Sequence, residues 1–131
     1  MLSSRIFDKN FEAEVDLSAC QYKVVTRGTA AGQCKKCGTT DRPLGILQNA
    51  PTIGEAAIVR LAGFSPVVAD GAFTYNDILA VTDANGEVDT AAAMTGGAST
   101  SWAVGFAAEA AGAAASLAEC QIHIHRYSSG A

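Results

Sequence analysis

Between Pro43 and Gly63 the chain reads PLGILQNAPTIGEAAIVRLAG, and no other stretch restricts the fold as much. Leu44, Ile46 and Leu47 form an apolar run opened by Pro43. Asn49 to Gly54 then supplies turn chemistry: Pro51 fixes φ and Gly54 allows the chain to reverse. From Glu55 to Leu61 the pattern alternates, with Ala57, Val59 and Leu61 on one face and Ile58 and Arg60 on the other. The local unit is therefore strand, tight connection, strand.

The same unit recurs along the chain. Phe11, Ala13, Val15 and Leu17 alternate with Glu12, Glu14 and Asp16, which predicts a half-buried strand with an acidic outer face over 11–17. Gln21 to Thr26 reads as a second strand. Pro66 before Val67-Val68 suggests an edge position. Ile78 to Val81 is a short apolar run, and Asp83-Ala84-Asn85-Gly86 after it is the clearest hairpin turn in the sequence. That turn lacks the ladder of oxygen ligands of a calcium loop. Residues 88–101 show little pattern and are expected to be a loop. Trp102 to Phe106 is expected as a strand. Ala107 to Ala118, rich in Ala but interrupted by Gly112, is expected as a strand end and a long turn with at most one helical turn. Cys120, Ile122 and Ile124 alternate with Gln121, His123 and His125 in a last strand. A weak echo between 45–61 and 105–124 suggests two half-sheets. The fold class is all-β: a small β-sandwich or β-barrel body, residues 11–131, preceded by an extended N-terminal arm at 1–10.

Composition limits function. Nine Lys and Arg against 13 Asp and Glu give a net charge of −4. That opposes a generic nucleic-acid coat, which needs a basic face to displace counterions. No window is apolar enough to span a bilayer, which takes about 20 residues. The first residues carry Arg5, Asp8 and Lys9 and lack an apolar targeting core. Synthesis in a cytoplasm is expected. No Ser/His/Asp set, phosphate loop or dinucleotide fingerprint is present, so no catalytic residues, no cofactor and no enzymatic activity are expected.

Cys34-Lys35-Lys36-Cys37-Gly38 is the sharpest local motif. Its spacing fits half of a zinc site, completed by Cys20 and Cys120 or by His123 or His125. A zinc-ribbon-like binding module using Cys34 and Cys37 is therefore an alternative function. The four cysteines also suit free thiols or disulfides. A redox pair would need a helix start after a strand, and no such context surrounds it. Cys20 and Cys120 are expected to be buried on strands, and Cys34 and Cys37 to lie near the surface of a hairpin. His123 and His125 share one strand face.

Taken together, Asp16-Leu17-Ser18, Arg42-Pro43-Leu44-Gly45-Ile46-Leu47-Gln48-Asn49, Gly54-Glu55-Ala56-Ala57, Asp83-Ala84-Asn85-Gly86, Val104-Gly105 and Glu109-Ala110-Ala111 resemble the small decoration, or cement, proteins of tailed-phage heads. The likeness runs from about Phe11 to Ile124. It implies a β-rich body on the outer capsid surface, a homotrimer, and the major capsid protein as partner, with neither nucleic acid nor membrane involved. It also implies an N-terminal arm that pairs with the capsid, which nominates Leu2, Ile6, Phe7, Phe11 and Val15 as capsid-binding residues. The cysteines are additions to that family pattern.

Overall fold

Val24-Val25 and Ile46-Leu47 explain how the two halves of this protein fit together. In each pair one side chain points into a barrel and the next points out of it into a second core. A barrel strand with water on its outer face alternates apolar and polar residues. One covered on both faces becomes continuously apolar. The computed structural model describes residues 6–91 and 100–128, and the covering layer is a second sheet.

The first half of the chain makes the barrel. Its strands are β1 (Phe7–Ala13), β2 (Val24–Arg27), β3 (Gln33–Lys36), β4 (Pro43–Leu47) and β5 (Ala56–Ala62), closed in the order β1-β3-β2-β4-β5. Most pairings are antiparallel. The closing contact is parallel and short, matching Glu12 with Gln33 and Ala13 with Cys34. Phe11, Leu17, Val25, Cys34, Leu47 and Val59 fill the interior. Gly54, at φ 83°, reverses the chain between β4 and β5 as its turn chemistry requires.

The second half makes a sheet of β6 (Phe64–Val68), β7 (Ile78–Val81), β8 (Val88–Thr90), β9 (Thr100–Ala107) and β10 (Leu117–Ser128), in the order β6-β10-β9-β7-β8. Pro66 lies on an edge strand, where a missing N–H costs no ladder bond. Val67, Leu79, Val104 and Cys120 of this sheet pack against Val24, Cys37 and Ile46 of the barrel. The all-β class expected from the sequence is present, as a closed barrel with a second sheet laid on it.

Several boundaries differ from the sequence reading. β1 begins at Phe7, inside the segment expected as an arm, and ends at Ala13. Phe7 to Asn10 are all exposed, so no alternation of burial marks them, yet they pair with β5 from Ala62 to Ile58. The region expected as a loop after residue 87 holds β8, and β9 starts at Thr100. Residues 108–116 run as turns without a helix, and Ala115 takes φ 68°. The Asn85-Gly86 turn does join β7 to β8.

Candidate functional site

The N-terminal end of β1 carries the first candidate surface. On one side Phe7 to Glu12 pair with β5; on the other, β1 meets β3 only at Glu12 and Ala13. Among the described residues the backbone of Phe7 to Phe11 is thus paired on the β5 side alone. The last residues of β5, Leu61 and Ala62, lie beyond its pairing with β4. The result is a two-stranded ribbon with one open edge. Arg60 holds it in shape by binding both carboxylate oxygens of Asp8, at 2.9 and 3.2 Å, and donating to the Phe64 carbonyl at 3.0 Å. Ile6, Phe7 and Phe64 are 51%, 59% and 41% exposed at this tip. Isolated exposed apolar residues are ordinary, but three around an open strand edge form a surface suited to a partner.

Of the residues nominated from the sequence, Ile6 and Phe7 lie on this tip. Phe11 does not: it is 8% exposed and belongs to the barrel core, and Val15 packs against that core. Their side chains serve the body. Leu2 lies outside the described residues. Phe64 was missed because it sits 57 positions beyond Phe7 in the chain and is brought to the same end only by the pairing of Phe7 with Ala62, two residues before it.

A second surface lies where barrel and sheet meet. A cleft of about 390 Å³ has Pro43, Leu44, Leu61 and Ile124 as its apolar floor and Arg27 and Arg42 on its rim. The Thr26 hydroxyl donates to the Arg42 carbonyl at 2.7 Å and fixes the β3–β4 connection there. The Arg42 guanidinium lies 5.1 Å from the Trp102 ring centroid, and Arg126 lies 5.3 Å from the same ring. Sequence spacing gave no hint of this group, because its members come from β2, the β3–β4 connection, β9 and β10.

The cysteines form no common site. Cys20 and Cys34 belong to the barrel core, Cys37 and Cys120 to the core under the sheet. All four are free and buried. Cys34 and Cys37 enter two different cores, and the expectation that both lie near the surface is incorrect. The barrel's outer face at Cys37 is covered by the second sheet. Burial pushes the Cys34 thiol up to about 11 and the Cys120 thiol up to about 12. Burial, helped by the Asp41 carboxylate, pushes Cys37 up to about 12. These shifts run opposite to what a redox cysteine needs. Among the described residues the only three metal-competent side chains that converge are Asp70, Asp83 and Glu87, so the zinc-ribbon alternative finds no ligand set. Those carboxylates serve the hairpin instead. Asp83 accepts the backbone N–H groups of Asn85 and Glu87, and Asp70 accepts from Thr82. Burial and the neighbouring Asp83 raise the Glu87 pKa, against the pull of Lys23 at 3.8 Å.

The other acids of the early strand make local contacts. Glu12 accepts from Gln33, Glu14 from the Thr29 N–H and Asp16 from the Ser18 N–H. His123 and His125 flank Phe106, with ring centroids at 5.6 and 5.8 Å.

No protein-family model matches this chain, and no curated protein matches it by sequence. A solved structure does match in fold: the head fiber gp8.5 N base of bacteriophage phi29, at TM-score 0.65 and 14% identity, over 91% of this chain and 95% of that one. At that identity the likeness is one of fold. It extends over nearly the whole of both chains, so barrel and sheet together form the shared unit.

Proposed function

We propose that this protein is a structural component of a tailed-phage head that binds the outer capsid surface and stabilises the shell. The observation that carries the reading is the fold likeness, over nearly its full length, to a head fibre base of a bacteriophage. The sequence resemblance to decoration proteins, reached from separate residues, supports it. The β1 tip gives the reading a mechanism. The open edge of Phe7 to Phe11 accepts or donates a strand of the major capsid protein, and Ile6, Phe7 and Phe64 enter apolar pockets beside it. Three copies around a local three-fold axis bind far more tightly than one, because each bound copy raises the effective concentration of the next. The protein is then made in the host cytoplasm and carried on the virion.

The test uses heads prepared without the protein. Wild-type protein added back co-sediments with the heads and raises the temperature at which they burst. The double variant F7S/F64S changes two exposed side chains, so its own stability should fall within about 0.5 kcal/mol of wild type. It should bind the heads at least tenfold more weakly. Wild-type protein that does not bind heads defeats the reading. A double variant that binds and protects as well as wild type moves the docking surface elsewhere on the body.

A further inference from the structure

We propose that the cleft between barrel and sheet is a second binding site, and that its ligand is an extended acidic peptide segment. Three observations converge there. Arg27 and Arg42 line the cleft, Arg42 and Arg126 lie over the adjoining Trp102, and none of the three guanidinium groups has a carboxylate or hydrogen-bond partner among the described residues. In a chain of net charge −4, acids are plentiful, yet Arg60 and Lys23 take the ion pairs. The floor, including Leu61 and Ile124, is apolar and open. Finally, Arg42 and Arg126 both lie over one indole, at 5.1 and 5.3 Å from its centroid, a contact that favours stacking of their planar donor groups on the ring.

A guanidinium held this way presents paired N–H donors that match a carboxylate's two oxygens. An apolar floor between such donors suits a ligand that is charged along one edge and greasy along the other. An extended peptide has that form, because successive side chains point to opposite faces. Alternating acidic and aliphatic residues place carboxylates on the arginine rim and methyl groups on the floor. A nucleic-acid backbone fits less well. It needs a long basic track, and three arginines with Lys35 across from Thr26 make only a short one in a chain of net charge −4. The ligand class follows from the cleft itself and does not depend on what the β1 tip docks against.

Trp102 is the only tryptophan, so its fluorescence reports on this site alone. The full-length protein is titrated with acetyl-Glu-Leu-Glu-Leu-Glu-amide, with the same peptide carrying Gln for Glu, and with a short oligothymidylate. The acidic peptide should shift the emission with a Kd on the order of 1 mM or tighter, and the Gln peptide should not. Binding should weaken at about 1 M salt, where the screening length is about 3 Å. R27Q and R126Q should each weaken it about three- to tenfold, with urea midpoints close to wild type showing that both fold. No shift at ten times the expected Kd overturns the proposal, as does equal binding of the Gln peptide. Tighter binding of the oligonucleotide overturns it in favour of a nucleic-acid site.

Discussion

Gly86→Ala tests whether the β7–β8 hairpin is locked onto the barrel or merely lies beside it. Gly86 sits at φ 81°, and a Cβ placed there would lie 2.2 Å from the Val24 carbonyl oxygen and 2.9 Å from its nitrogen. The same two residues are joined by a hydrogen bond, Val24 N–H to Gly86 C=O at 2.9 Å, and the Val24 carbonyl accepts from Cys37 at 3.2 Å. An added methyl therefore meets backbone, which cannot rotate aside. The positive φ costs an L residue about 1–2 kcal/mol. Moving Val24 away leaves at least one buried backbone group unpaired, for about 1–3 kcal/mol more. The sum is about 2–5 kcal/mol. Gly54→Ala is the internal control: it has φ 83° and nothing within 4 Å of the added Cβ, so only the first cost applies. Urea unfolding followed by far-UV circular dichroism gives both values. With a slope of about 1–3 kcal/mol per molar, the Gly86 variant should lose about 1 M more of its midpoint than the Gly54 variant. Equal losses would show that the hairpin yields freely and that the contact with β2 contributes little.

Three further outcomes follow from the cysteines, Glu87 and Trp102. In native protein all four thiols should resist alkylation; at Cys34, a shift from 9.0 to about 11 lowers the thiolate fraction about a hundredfold, and rapid labelling of Cys34 or Cys37 would contradict their burial. Glu87 has its pKa raised in the folded state, so the folded form holds the proton more tightly and stability should fall as pH rises from the unfolded carboxylate value through the raised one. The variant E87Q should flatten that fall in urea midpoints measured across the range, and an unchanged slope would assign it to another group. Trp102→Ala removes the ring that Arg42 of the barrel and Arg126 of the sheet share and should cost about 2–4 kcal/mol; a change under about 0.5 kcal/mol would mean the clasp between the layers is idle.

Turns and half-buried strands were legible in the sequence, because both write themselves into neighbouring residues. Asn85-Gly86 and the Asn49–Gly54 segment reverse the chain where their chemistry says, and the faces of Ala57 and Val59 are those their alternation gives. What alternation cannot state is what covers a face. Lys35 and Lys36 beside Cys37 read as a solvated hairpin, but the second sheet lies over Cys37. The start of β1 was hidden for the converse reason: nothing covers Phe7 to Asn10, so their strand rests on backbone pairing and the Asp8–Arg60 ion pair rather than on burial. The arginine cleft was the least legible feature. Arg27, Arg42, Trp102 and Arg126 come together only after barrel and sheet have formed and docked, and no period in the sequence connects them.

The scarcity of large side chains suggests at first that one copy cannot stabilise itself and must borrow core from its neighbours. The structure points the argument elsewhere. Ala13, Ala57, Ala69, Ala80, Ala103, Ala107, Ala111 and Ala118 are all buried, so small residues are not waste surface here. Ala69, Ala107, Ala111 and Ala118, in the core between the layers, let sheet and barrel approach closely, and two thin cores stacked on shared strands do the work of one thick one. No described buried side-chain nitrogen or oxygen lacks a partner, which is the condition for such close layers to hold. A copy of this protein is thus internally complete in its core and incomplete at its edge. Self-association, like capsid docking, is better sought at the open backbone and exposed rings of the β1 tip than in any deficit of the interior.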